Sequence, residues 1–413
     1  MKALKINLKR LNIDQFEELK RQSRLSLLLY NEAVNICDCY FQETGKYIGI
    51  NELYNQIKKS ENYTGMLAKV AQQILRNLDK NYRSFFSLLR RKREGSYLED
   101  ISAPKSIKGK HGTYHLILPN DQVVLKNGIL KLTKNIKIPF NYNGIKKVQQ
   151  ALIKWNGVNF IMYLTYDETL EINKSNKNKI EKNENLNKER ILSIDLGVNN
   201  LMTCYCNVGP SFIVNGKPLK SYNQYYNKHI AKVKSQLKKV NKKYTSKLTN
   251  RINENRHNFV NDYLNKSVAL IKKYCLENNI GRVIIGYNEL WKQNVNMGKK
   301  NNQKFVYIPH GRLRMKLEHK LQEEGILVDM VEESYTSKCS FYDREKVCKH
   351  ESYVGKRVKR GLFKTENGIF INSDVNGAGN IMRKLVDEKN VFLEKQFDKI
   401  VGSIISPVRL NVI

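Results

Sequence analysis

Three carboxylates stand where a strand or a helix would hold them. Asp195 ends the apolar run Ile191-Leu192-Ser193-Ile194, Glu333 follows a run that closes at Val331, and Asp374 precedes a helix-like stretch over 374–386. An acid at the mouth of a buried strand is half desolvated and needs a cation or a hydrogen-bond donor. Three such acids suit a hard cation that takes oxygen ligands. Two Mg²⁺ about 3.5–4 Å apart can cleave a phosphodiester, one activating water and the other stabilising the leaving oxygen. Each acid alone has a structural reading: Asp195 as a turn cap, Asp374 as a helix N-cap, Glu333 as an exposed loop acid. The combination carries the chemistry. Asn376, Gly377 and Gly379 are expected to let backbone and metal approach closely beside Asp374.

The composition supplies a partner. Lys+Arg number 73 against 39 Asp+Glu, a net charge of +34 over 413 residues. So large a surplus repels itself unless a polyanion neutralises it, which points to nucleic acid and to salt-dependent binding. From Lys228 to Arg251 nine cations occur without one acid, among them Lys238, Lys239, Lys242 and Lys243. A second cluster, Arg90-Arg91-Lys92-Arg93, stands at the end of a helical pattern, where phosphate contact competes with favourable charge at a helix C-terminus. The seven cysteines fit no secreted disulfide framework. No run approaches the roughly 18 apolar residues of a membrane helix, and the first residues lack an apolar leader core. The expected setting is cytoplasmic and reducing.

The elements that would position these groups fall into two halves. Residues 2–9 alternate like a strand, and Asp14 with Glu17 forms a capping box for a helix to about Phe41. A second helix is expected over 64–94, with Leu67, Val70, Ile74, Leu78, Tyr82, Phe85 and Leu89 on one stripe. Strands follow from 100 to 168, the clearest pair being a hairpin about Asn156-Gly157 in a type I′ turn. This reads as a small β-barrel or sandwich that includes the strand at 2–9, with the helices inserted. Residues 170–190 are polar and aperiodic, a linker. Then come β-rich 191–214, a basic helical stretch 221–278, a strand at 283–285, a Lys/Asn-rich loop 292–304, a helix near 310–324 and a strand 326–331. That order indicates an α/β layer architecture.

The segments SIDLGVNNLMTC (193–204), EESYTSKCS (332–340) and NSDVNGAGNIMRK (372–384) resemble the nuclease of TnpB, the OrfB-type protein of small bacterial insertion sequences. YNEAVN, VAQQILRNLDKNYRSFFSLLRRKREG and IKIPF extend the resemblance over nearly the whole chain. It implies an RNase H-like (RuvC) fold at 190–413, shared with type V CRISPR effectors and Fanzor proteins. It further implies a wedge β-barrel at 1–13 and 96–168, a helical recognition insertion at 14–95 and a linker at 169–189. The implied activity is magnesium-dependent, RNA-guided cleavage of double-stranded DNA beside a short transposon-adjacent motif, leaving a 5′-phosphate. Asp195, Glu333 and Asp374 would hold the two Mg²⁺. Guide RNA and target DNA would be the partners, with no membrane, in a bacterial, nucleoid-associated setting.

Two departures stand out. Most of the family carries its second acid at the end of a strand that corresponds to Val283–Asn288, where this chain has Gly286. A subgroup resembles this chain in placing the acid just before a T-S-K segment, which matches Glu333. Glu332, on the opposite side of an extended chain, and Glu289, three residues past the vacant position, are the alternatives. The family also often carries paired C-x₂-C motifs, whereas residues 339–371 offer only Cys339 and Cys348, read as unpaired remnants; structural zinc is not expected. Arg357 and Arg360 in this segment are candidate nucleic-acid contacts. Two other classes remain: a guide-dependent DNA-binding repressor without cleavage, and a strand-joining transposase. The second lacks an evident His-hydrophobe-His pair with a nucleophilic tyrosine.

Overall fold

The computed structural model describes residues 2–9, 11–97, 99–109, 112–133, 136–140, 144–168, 186–288, 308–388 and 404–412. The chain divides into two compact units, Met1–Lys174 and Ser175–Ile413. Most of the expected linker (residues 169–185) and the whole loop 292–304 lie outside the described residues, as does Glu289.

In the first unit, strand β1 (Lys2–Asn7) pairs antiparallel with β7 (Phe160–Glu168), which pairs with β6 (Ile145–Trp155) and so with β2 (Leu116–Pro119). The N-terminal strand therefore does share a sheet with the later strands. A second, three-stranded sheet holds β3 (Val124–Lys126), β4 (Ile129–Lys131) and β5 (Lys137–Pro139). Between β1 and β2 in sequence run helices α1 (Ile13–Thr44), α2 (Ile50–Ile57), α3 (Glu61–Thr64) and α4 (Ala68–Arg93).

Local chemistry corrects several boundaries. The capping box of α1 is Asn12 with Gln15, not Asp14 with Glu17: Gln15 N donates to Asn12 Oδ1 at 2.8 Å, and Asn12 N donates to Gln15 Oε1 at 3.2 Å. The stripe of α4 buries Val70, Ile74, Leu78 and Tyr82, but Leu67 precedes the helix and is 39% exposed. The β6–β7 loop has four residues rather than two, because Asn156 Oδ1 accepts from the backbone of both Val158 and Asn159. The left-handed Asn-Gly pair occurs instead at Asn127 (φ 51°) and Gly128 (φ 70°), between β3 and β4. This is the pair of positive φ angles that a type I′ turn needs.

The second unit is built on a mixed six-stranded sheet. β8 (Asn187–Leu196) is central, antiparallel to β9 (Asn200–Cys206), which continues to β10 (Phe212–Asn215) and β16 (Val408–Leu410). On its other side β8 is parallel to β11 (Ile280–Tyr287), which is parallel to β12 (Leu327–Glu332). Because β8 begins at Asn187, residues 187–190 are strand rather than linker. The basic stretch 221–278 is two helices, α5 (Lys217–Asn241) and α6 (Lys247–Glu277), broken at the left-handed Lys242. Helix α7 (His310–Gln322) precedes β12, a small sheet of β13 (Lys356–Lys359), β14 (Leu362–Lys364) and β15 (Phe370–Asn372) follows it, and α8 (Ser373–Glu388) comes next, ahead of β16.

The strands alternate between two cores. Leu192, Ile194, Val283 and Ile285 pack in a cluster with Leu264 and Val268 of α6 and Leu317 of α7. Ile191, Ile284 and Val331 pack in another with Val375, Ile381 and Met382 of α8. Period-two alternation then decides where the acids look. Residues 191, 193 and 195 share the α8 face, as do 284 and 286, and 331 with 333.

Candidate nuclease centre

Asp195 sits near the end of β8 and is neither fully buried nor exposed. One turn into α8, Gly377 leaves room for it: a Cβ there would lie 3.1 Å from Asp195 Oδ2. Asp374 lies in the first turn of α8, where Asn372 Oδ1 accepts from the backbone of Asp374 and Val375 at 3.0 and 3.2 Å. Asn372, not Asp374, thus caps this helix, and the Asp374 carboxylate is left for other contacts. It accepts from Asn200 Nδ2 at 2.6 Å and lies 3.6 Å from an Arg357 nitrogen. Arg409 Nη1 in turn donates to Asn200 Oδ1 at 2.8 Å, which orients the amide.

Glu333 follows β12, with its backbone N–H donating to Tyr287 O at 3.0 Å. Its side chain turns over β11 at Gly286. A Cβ on Gly286 would meet Glu333 Oε1 at 2.6 Å, Glu333 Cγ at 2.9 Å and Ile381 Cδ1 at 2.6 Å. The space left by the missing side chain at 286 is filled by the Glu333 carboxylate. Glu332 goes elsewhere: it is exposed, accepts from Lys384 Nζ at 2.9 Å and bonds Ser334.

Helix α8 also holds the loop behind Glu333. Asn376 Nδ2 donates to Cys339 O at 2.9 Å while its Oδ1 accepts from Phe341 N at 2.8 Å. Asn380, one turn on, donates to Thr336 O and Cys339 O at 2.9 and 2.7 Å. Thr336 closes the turn by donating from N and Oγ1 to Glu333 O. The expected role of this segment changes accordingly. Asn376 anchors a loop, and Gly379 admits the Phe341 ring, whose nearest atom would be 2.6 Å from an added Cβ; only Gly377 faces an acid.

The electrostatics place Asp195 in the field of the other two acids. Burial pushes the Asp195 carboxyl well above its ordinary range, and the charges of Glu333 and Asp374 push it further, against the opposing field of Arg357. Burial, then the neighbouring Glu332 charge, raise Glu333 to about 7, while Arg314 opposes. Glu332 differs: its bonds to Ser334 and Lys384 outweigh burial and hold its carboxyl below 4.5. Hard oxygen donors that press on Asp195 in this way are a fitting donor set for magnesium.

The other sequence candidates are dispersed. Arg90, Arg91, Lys92 and Arg93 are exposed at the end of α4, where Arg90 pairs with Glu94 at 3.8 Å and Lys92 with Asp100 at 3.3 Å. Lys238, Lys239, Lys242 and Lys243 are exposed at the α5–α6 break. Arg360 is exposed beside the β13–β14 turn, while Arg357 reaches Asp374. Near Cys339, Glu345 and His350 offer ligand atoms within 4.8 Å of one another and of its Sγ. The Glu345 oxygens accept from Ser340 N and Val354 N, and His350 Nε2 lies 2.7 Å from Lys346 O. Sequence reading missed Glu345 and Asn200. Neither follows a strand in a recognisable pattern; Asn200 opens β9 directly after Val198-Asn199, where amides usually serve the backbone.

The mixed sheet carries helices on both faces, with Asp195 near the end of β8, Glu333 just past β12 and Asp374 in the first turn of α8. Residues 169–292 match the OrfB_IS605 family, described as probable transposase, and residues 310–381 match the Cas12f1-like TNB domain. The chain is 27% identical to the TnpB-like protein ORF457 of Acidianus two-tailed virus, over 92% of this chain and 86% of that protein. It shares its fold with Cas12f1, solved by cryo-EM with sgRNA and target DNA, at a TM-score of 0.54 and 14% identity, over 90% of this chain and 83% of that one. The resemblance to TnpB read from the motifs is thereby shown, and the fold is shared with Cas12f1. Among the described residues, no helix is long and apolar enough to cross a membrane.

Proposed function

We propose that this chain is an RNA-guided DNA endonuclease of the insertion-sequence type, with Asp195, Glu333 and Asp374 as its catalytic acids. The observation that carries the reading is the Glu333 carboxylate over Gly286, on the same sheet face as Asp195. A chain that had merely lost its second acid would have no reason to fill that space with another carboxylate. The TnpB-like and Cas12f1 relationships support a guide RNA and a DNA target as partners.

The three acids would hold two Mg²⁺, which when bound supply an activated water and charge stabilisation at the leaving oxygen. The chain's own residues prepare for this. Asn200 and Arg357 orient Asp374, Asn376 and Asn380 fix the loop that carries Glu333, and β8 fixes Asp195. Residues 1–13 and 96–168, with the helices of 14–95, would bind the guide and read the transposon-adjacent motif; 190–413 would cut.

The test is plasmid cleavage by protein purified with its own RNA. Asp195→Ala, Glu333→Ala and Asp374→Ala should each abolish cutting and keep RNA and DNA binding, while Glu332→Ala and Glu289→Ala still cut. Cutting by Glu333→Ala, or loss of it in Glu289→Ala, would reassign the second acid. Guide-dependent binding without any magnesium-dependent product from the parent protein would make it a repressor.

A further inference from the structure

Helix α5 carries lysines throughout and no acid, yet it also exposes aromatic surface. Tyr222, Tyr225 and His229 recur at helical spacing on one stripe. Tyr222 stacks on Phe259 of α6 with ring centroids 4.0 Å apart and planes 16° apart. Tyr225 lies 6.4 Å from Tyr222 and 5.6 Å from His229, centroid to centroid, and is 62% exposed; Phe259 is 36% exposed. Lys228 and Lys232 stand three and seven residues beyond Tyr225 and are both exposed. On the α6 side, Asp262 is engaged by Lys266 at 3.3 Å.

We propose that the stripe formed by Tyr222, Tyr225 and Phe259 is a stacking platform for unpaired nucleotides of a single-stranded nucleic acid. Two independent properties point to that ligand. The lysines of α5 supply the field that draws phosphates, and the rings beside them supply flat apolar faces that accept any base. A protein partner would need complementary acids along the whole helix. A duplex keeps its bases stacked inside and could use the lysines alone. The rings are therefore the part that distinguishes an unpaired strand. The inference shares with the reading above only a nucleic-acid partner and does not depend on cleavage.

The test uses the full chain, freed of bound RNA, in EDTA, with fluorescence anisotropy on oligo-uridine, oligo-thymidine and a duplex of equal length. Tyr225→Ala should bind the single strands about tenfold more weakly, within the range for one lost base–aromatic stack. It should bind the duplex as the parent does, and Tyr225→Phe should restore the loss. Phe259→Leu, which keeps the apolar seam with α6, should give the same selective loss. The uridine and thymidine arms tell whether RNA or DNA is preferred. Unchanged single-strand affinity in both variants would overturn the proposal, as would an equal loss for duplex and single strand. A concentration-dependent dimer that Tyr225→Ala dissolves, with oligonucleotide binding intact, would assign the stripe to a second copy instead. A chain that never cuts DNA but shows the selective loss keeps this platform and loses only the nuclease reading.

Discussion

Gly286 and Glu333 contend for one volume, and that makes a glycine as decisive as an acid. In Gly286→Ala the new Cβ would meet Glu333 Oε1 and Ile381 Cδ1 at 2.6 Å. Both neighbours are side-chain ends that can swing, so the fold should survive at a cost of about 1–3 kcal/mol. The displaced carboxylate should not survive as a ligand. Gly286→Ala is expected to melt a few degrees lower and to lose cutting while keeping RNA; full activity would show that Glu333 need not sit there. The same crowding sets a pH dependence. Glu333 is raised from 4.5 to about 7, so the folded state holds this proton more tightly than the unfolded chain does. Stability of the metal-free protein should fall as pH rises from about 4.5 through 7. Magnesium should reverse the loss, because it favours the ionised form. Melting curves in EDTA and in magnesium, at pH 5 and pH 8, read both effects. Glu333→Gln should flatten the EDTA slope and remove most of the magnesium gain; an unaltered slope would mean that another group titrates.

At the scale of elements, α8 and the loop after β12 answer to each other. Asn380→Ala would remove the side-chain donor to Thr336 O in a buried place and leave Cys339 O to Asn376 Nδ2, a loss of about 1–3 kcal/mol by the usual cost of a buried unpaired acceptor. Lys384→Ala removes an ion pair whose Glu332 side chain is 47% exposed, and should cost no more than about 1 kcal/mol. Thermal melts of the two variants test that ranking. Much of this architecture was legible in the sequence. The strand–helix–strand order of 191–331 and the two terminal acids came from apolar runs and the residues that close them. Less accessible were features that depend on a second segment. The cap at Asn12 was displaced by two residues because Asp14 and Glu17 satisfy the same short-range pattern. The Asn156-Gly157 turn widened because one amide side chain captured two backbone donors. Asn200 and Glu345 gave no signal, since their partners lie 174 residues away in one case and in a folded-back loop in the other.

At the scale of the whole chain, a net charge of +34 governs how any strand is approached. Binding should weaken steeply with salt, by about 10³-fold or more between 50 and 200 mM if about six phosphates are engaged. A flat salt profile would mean that the lysines are spent elsewhere. The hydrophobic clusters of the two units are separate, and salt acts on the surface charge instead, lowering occupancy while it screens the self-repulsion of the free chain. The bonds from α8 to the Glu333 loop also bear on ancestry. Asp374 and the tether of Glu333 are borne by one helix, while Asp195 belongs to a distant stretch of chain. A recombination that exchanged residues 326–388 with a kindred sequence would carry two acids and their brace as a single inheritance. The host would need to contribute Asp195, the Asn200 amide that orients Asp374 and a glycine opposite Glu333. Such a cassette would move the Glu333 carboxylate and the helix that braces its loop together, so that neither arrives without the other.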